Sequence, residues 1–310
     1  MTSVAATGEV PGGGAAGLGR AALRRLRPSR WVINLVLVVV GAFWLLPTVS
    51  LLIISLRPEG LFTTSGWWQV FTIPSQLTLH NYKVLFSNGL APGQVLDSLV
   101  TSLLITVPAT ILVTTVASLA AYSLVFGRWR GRTTIFLVVV GLMVVPVQVG
   151  LIPVTRLYRD MGSWIGWNPF GTIPGVIIFH VAFGLPFGIF LMRNFFMGIP
   201  LDLLEAGRIE GANEWTLFLR VVLPLGLPAI ASLAIFQFIW VWNDLLVALV
   251  FLGGNSHQPL TIFMFDQIRT FSASYWEIST GGIVSIVVPL IVFFAFQRYF
   301  VRGVLAGAVK

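Results

Sequence analysis

The 310-residue sequence contains no cysteine, only three histidines and only 10% charged residues. Lack of cysteine excludes disulfide staples, thiolate metal sites and a cysteine nucleophile. His80 and His257 fall in polar connecting stretches and His180 stands alone in an apolar run, so no set of metal ligands at interpretable spacing is present. No phosphate-binding Gly-rich loop ending in Lys-Ser/Thr, no His-Glu-x-x-His pair and no Gly-x-Ser-x-Gly elbow occurs, which argues against an enzyme and places any ATP hydrolysis on another chain. The shortage of charge is the broadest exclusion. Soluble domains carry about 25% charged residues, whereas here 56% of residues are hydrophobic and arrive in blocks of twenty or more. Lipid, not water, is the main solvent of such a chain. The net charge of +8 is explained by Lys and Arg at the ends of apolar blocks, so nucleic acid is not an expected partner.

Residues 1–30 are Gly- and Ala-rich and then basic, and read as a disordered cytoplasmic tail that cannot bury enough apolar surface to offset its chain entropy. A membrane domain is expected over 31–301. Six runs are each about the twenty residues needed to cross a 30 Å hydrocarbon layer: Trp31–Leu56, Ser98–Phe126, Thr134–Val154, Ile173–Met197, Leu227–Phe251 and Gly281–Val301. The first is too long for a cleaved signal and lacks a small-residue cleavage site. Fourteen of the nineteen Lys and Arg fall on the side of the termini, so both termini are predicted to be cytoplasmic. The fold class is thus an all-α bundle of six membrane helices. Pro47, Pro108, Pro146, Pro186 and Pro289 lie inside these runs and predict kinks or breaks. The stretch Arg57 to Asp97 is a long outer loop carrying Trp67 and Trp68, read as an interfacial helix in preference to a partner-docking surface.

The most polar inner stretch, 198–226, lies between spans four and five. Pro200 and Asp202 suit the start of a short helix with Glu205 and Arg208 three apart, Gly211 supplies a turn, and Asn213 suits the cap of a second short helix. Two short helices meeting at a corner, tied to two spans, suit a surface that receives a push from a cytoplasmic partner. Within it, Glu205-Ala206-Gly207, Gly211 six positions after the Glu, and Val221 followed by Leu223-Pro224 resemble the EAA loop of ABC-importer membrane subunits. Gly207 and Val221 replace an Ala and an Ile of that pattern. Leu185-Pro-Phe-Gly, Val241-Trp-Asn-Asp and the ending from Gln297 to Lys310 look like carbohydrate-importer permeases of the maltose type, so the likeness runs from Trp31 to Lys310.

That resemblance implies a type I importer permease of a bacterial or archaeal cell membrane, forming half of the pathway for a di- or oligosaccharide. It implies a second permease subunit, two ATP-binding subunits and an extracytoplasmic sugar-binding protein as partners, with ATP and Mg on the ATPase chains and no cofactor on this one. Glu205, Ala206, Gly207, Gly211, Leu223 and Pro224 would couple to the ATPase, and a C-terminal tail of residues 302–310, with Gly303, Gly307 and Lys310, would reach the ATPase interface. Composition and span number alone leave a secondary transporter or channel open.

Asp244 is costly inside a bilayer and must face protein or water. Counted from the outer ends of their spans, Asp244, His180 and Gln148 lie at similar depth. On a continuous span five, Gln237, Trp240 and Asp244 share one face, with Asn243 beside them. An indole among polar groups suits stacking on a sugar ring, so Gln148, His180, Gln237, Trp240, Asn243 and Asp244 are candidate pathway residues. They equally suit mutual hydrogen bonding that holds helices together.

Overall fold

In the computed structural model, the described residues are 30–62, 64–87, 94–254, 257–269 and 275–308. The expected tail therefore lies outside the described residues up to position 29. Among the described residues there are twelve α-helices and no strand: α1 (Arg30–Ser55), α2 (His80–Ser87), α3 (Gln94–Phe126), α4 (Arg132–Leu142), α5 (Val147–Ile165), α6 (Ile173–Phe196), α7 (Leu201–Ile209), α8 (Glu214–Leu217), α9 (Leu223–Trp242), α10 (Leu246–Leu252), α11 (Leu260–Arg269) and α12 (Tyr275–Ala308). Five helices are long and apolar enough to cross a membrane, and the pair α4 and α5 makes a sixth if it counts as one span.

The chain divides into two compact units, Met1–Ser50 and Leu51–Lys310. In the first, the described residues are a single apolar helical run with Pro47 inside it. The second is a bundle centred on α3. This helix carries Ser98, Ser102, Thr106, Thr110, Thr114 and Ser118 at intervals of four, and all six are buried. A four-residue interval keeps them on one stripe. Helix α6 approaches the neighbouring stripe, where small side chains let backbones come close: a Cβ on Gly188 would stand 3.0 Å from Ala117 Cβ and 3.2 Å from Val113 Cγ1. Two of the hydroxyls bond within the helix, Thr114 Oγ1 donating to the Thr110 carbonyl at 2.7 Å and Ser118 Oγ to the Thr114 carbonyl at 2.6 Å. Ser102 Oγ instead accepts the Leu260 N–H at 2.8 Å, and Thr110 Oγ1 has no hydrogen-bond partner among the described residues. Helix α9 packs on α3, α6 and α12.

Two expected spans are interrupted. The run Thr134–Val154 is not one straight helix: α4 and α5 are bent by 100° across Met143–Pro146. Pro146 has no N–H to donate and disfavours helical backbone at Val145, and it stands extended as the N-cap of α5. At the inner end of α4, Phe136 stacks on Phe190 and receives the Arg193 guanidinium at 3.8 Å from its ring centroid. The run Leu227–Phe251 is also not continuous. Helix α9 ends at Trp242, Asn243, Asp244 and Leu245 form a break, and α10 follows. Asp244 Oδ2 accepts the N–H groups of Val247 at 2.9 Å and Ala248 at 3.3 Å, so the carboxylate starts a new helix rather than continuing the old one.

The outer loop contains three short 3-10 turns, Glu59–Leu61, Trp67–Phe71 and Pro74–Gln76, followed by α2, instead of one interfacial helix. Pro58, Gly66 and Pro74 at or beside their starts keep each turn short. Arg57, only 1% exposed, donates to the Ser65 carbonyl and hydroxyl, while Asn81 Nδ2 donates to the carbonyls of Ser55 and Arg57 at 2.8 Å each. These bonds close the loop onto the end of α1. At the other end of the chain, α12 continues to Ala308, so Gly303 and Gly307 stand in helix and Lys310 lies outside the described residues.

Candidate functional site

The inner corner is built from two short helices set around one glycine. Leu204 of α7 is buried in a core with Phe218 and Phe196, and Leu217 of α8 is buried as well. Gly211 between the helices has φ of +85°, a conformation that costs an L-residue about 1 kcal/mol or more, which is why glycine suits the turn. Asn213 Oδ1 accepts the Thr216 N–H at 2.8 Å and caps α8. A Cβ on Gly207 would stand 2.5 Å from Leu217 Cδ2, so the missing methyl at this position lets the two helices close on each other.

Beyond α8 the backbone passes through a π turn, Phe218–Val222, into α9, where Leu223 and Pro224 form the first turn. Glu205, Ala206 and Gly211 are exposed, and so are the apolar tips Leu201, Leu203, Ile209 and Trp215, with Ile209 at 88%. These four apolar side chains stand exposed on an otherwise polar loop. Charges ring the corner. Arg208 Nε and Nη2 donate to the two carboxylate oxygens of Glu214 at 2.9 and 3.3 Å, and the Tyr122 hydroxyl of α3 donates to Glu214 Oε2 at 2.6 Å. The Glu214 hydrogen bond holds the Arg208 guanidinium above its ordinary range. Arg128 lies 3.9 Å from Glu205. Tyr122 had no signal in the sequence, because 92 positions separate it from its partner Glu214.

Around the break after α9, the structure brings His180, Trp240 and Asp244 together, while Gln148 is exposed on the first turn of α5 and makes none of these contacts. His180 is 1% exposed; its Nδ1 meets the Val176 carbonyl at 2.9 Å and its Nε2 lies 3.5 Å from Asp244 Oδ2. Trp240 packs edge-on against the His180 ring at 5.4 Å. Asn243 is exposed and donates to the Ile239 carbonyl at 2.8 Å. Gln237 is buried over Gly184, where a Cβ would stand 2.8 Å from the amide. The break at Asn243 means that Asp244 is not on the α9 face that carries Gln237 and Trp240; it reaches His180 from the start of the next helix.

Residues 113–306, more than half of the chain and including the whole inner corner, match the family described as binding-protein-dependent transport system inner membrane component. The chain belongs to this family. The chain is 44% identical over 283 residues to the osmoprotective compounds uptake permease protein GgtD of Synechocystis, covering 90% of this chain and 91% of that one. It is 44% identical over 256 residues to the alpha-glucoside transport system permease protein AglG of Rhizobium meliloti, covering 82% of this chain and 64% of that longer one. The trehalose transport system permease protein SugB of Mycobacterium tuberculosis is 31% identical over 287 residues, with 92% and 98% covered. In fold, it resembles a chain from the crystal structure of a bacterial ABC transporter involved in the import of the acidic polysaccharide alginate, with a TM-score of 0.73, 24% identity, and 87% of this chain and 95% of that chain covered. The chain is therefore a multi-pass membrane permease, and the similar proteins are themselves named as permeases. Among the described residues no group of three or more His, Asp or Glu is placed to hold a metal ion.

Proposed function

We propose that this chain is one permease subunit of an ATP-binding-cassette importer for a neutral di- or oligosaccharide or a related glucoside. The observation that carries the reading is the inner corner: two short helices locked around Gly211, presenting Ile209 and Trp215 outward between two spans. A secondary transporter has no use for such a docking surface. In this reading Glu205, Ala206, Gly207, Gly211, Leu223 and Pro224 belong to the segment that seats on the ATPase. Closure of a nucleotide-bound ATPase dimer then moves α7 and α8, and through them α6 and α9, between outward- and inward-open states. One chain supplies half of such a pathway, so a second permease, two ATPase chains holding ATP and Mg, and an extracytoplasmic binding protein complete it. Six crossings, counting α4 with α5 as one, put both termini in the cytoplasm of a bacterial or archaeal cell, with the segment 302–310 facing the ATPase.

Substrate class rests on the relatives, whose names cite alpha-glucosides, trehalose and osmoprotective compounds. The outer polar set adds support, because an indole beside amide and carboxylate groups suits sugar hydroxyls and a ring face. Gln148, Trp240 and Asn243 offer accessible surface to the pathway, Asp244 is partly accessible, His180 supports Trp240 and Asp244 from behind, and Gln237 is buried beneath this set against Gly184. The test is a reconstituted complex presented with a panel of neutral sugars. Stimulated ATPase and uptake with α-linked glucosides are expected, with uptake lowered by Asp244→Asn and Trp240→Ala at equal membrane level. Normal uptake in both variants would sink the pathway assignment. Retention of the ATPase chains during purification after Gly211→Trp would sink the docking assignment.

A further inference from the structure

The inner corner contains two compliant joints. Gly211 has open space around it, and the π turn Phe218–Val222 follows α8 directly. A load applied at the exposed tips Ile209 and Trp215 would flex these joints unless something braced them. The brace is on the inner end of α3. Tyr122 donates its hydroxyl to Glu214 Oε2 at 2.6 Å, a short charge-assisted bond. Its ring packs edge-on against Phe218 at 5.4 Å and lies tilted against Phe126 at 5.4 Å. Glu214 in turn is gripped through both oxygens by Arg208 of α7. Two residues beyond the end of α3, Arg128 meets Glu205 on α7. Both helices of the corner, one on each side of Gly211, are thus held to the same helix end.

Stability does not account for this arrangement. The Glu214 side chain is 59% exposed and that of Arg208 28%, and ion pairs so exposed contribute little to folding. What the arrangement supplies is geometry: α8 swings about Gly211 with α3 left behind only by breaking the Tyr122–Glu214 bond and parting the Tyr122 and Phe218 rings. Because α3 packs along α6 and against α9, displacement of the corner then reaches spans two, four and five together.

We propose that Tyr122 and Glu214 are positioning residues for energy coupling, clamping the corner to the inner end of α3 so that loop displacement moves that span instead of bending the loop. This rests on the coupling role proposed above for the corner. The experiment uses the complete importer in proteoliposomes and reads sugar molecules moved per ATP hydrolysed. Tyr122→Phe removes one oxygen and Glu214→Gln one charge, so both variants are expected to fold with near-normal melting temperature and to retain the ATPase chains. Each is expected to lower the transport-to-hydrolysis ratio about tenfold, and the double variant to fall no further than either single one. Since the chain has no cysteine, Tyr122→Cys with Glu214→Cys can be bridged by a short bifunctional thiol reagent, which is expected to restore the ratio; wild-type complex treated alike controls for partner thiols. An unchanged ratio in both single variants, or a double variant whose loss is the product of the two, overturns the clamp. If that result comes with loss of the ATPase chains in Gly211→Trp, the docking role stands and only the clamp falls. If Gly211→Trp keeps those chains, the docking role itself falls.

Discussion

Removing the Asp244 carboxylate tests the break in span five most directly. That oxygen accepts the N–H groups of Val247 and Ala248 at the start of α10 and lies 3.5 Å from His180 Nε2. Asp244→Ala strips both amides of their acceptor. Loss of a capping side chain costs about 1 kcal/mol, within a range of roughly 0.5–2. The rest of α10 is anchored by Val247, Ala248, Phe251 and Leu252, each at most 3% exposed, so the cost is expected as local opening and not as global unfolding. At about 1–2 kcal/mol, amide hydrogen exchange at Val247 and Ala248 accelerates roughly 5- to 30-fold. Asp244→Asn keeps a side-chain carbonyl at the same place and loses only the charge, so its acceleration is expected to be the smaller of the two. Exchange read by mass spectrometry on the purified protein, with peptides covering 240–252, separates the cases. Unaltered protection of these two amides in Asp244→Ala would refute the claim that this carboxylate starts the second helix.

Two further substitutions probe other parts of the argument. Gly188→Leu drives a side chain into Ala117 and Val113 across the α3–α6 contact, and overpacking of this kind costs about 1–3 kcal/mol; the melting temperature in detergent is expected to drop, and more than for Gly188→Ala. Gly211→Ala meets no neighbour within 4 Å but must adopt φ of +85°, so a loss of about 1 kcal/mol is expected, read as a small fall in melting temperature with the ATPase chains still bound.

Much of this was legible in the residues. Pro146 predicted a break where α4 and α5 part by 100°, and Asn213 predicted the cap of α8. Span five was harder. Hydropathy runs almost unbroken from Leu227 to Phe251, and two polar residues in such a run do not reveal whether the helix passes through them. What decides it is that Asp244 Oδ2 bonds to backbone ahead of it, a local competition that periodicity does not register. The i+4 stripe of serine and threonine on α3 was visible in principle, as an unusual regularity in an apolar run. The Tyr122–Glu214 contact was not, because nothing in the order of residues states which helix end lies beside which loop.

The π turn at Phe218–Val222 is a joint that can change length without changing phase. Each residue of an α-helix advances the direction of its side chain by about 100°, and a π turn accommodates one residue more than an α turn does within the same full rotation. Deleting one residue here, with the turn reverting to α geometry, would leave Gln237 and Trp240 pointing nearly as before relative to α8. Deleting one residue of α9 ahead of Gln237 would instead rotate both through roughly a quarter of a circle. Gly184, which leaves room for the Gln237 amide, would then face a different side chain. The π turn thus tolerates a loss of one residue that the helix beyond it does not.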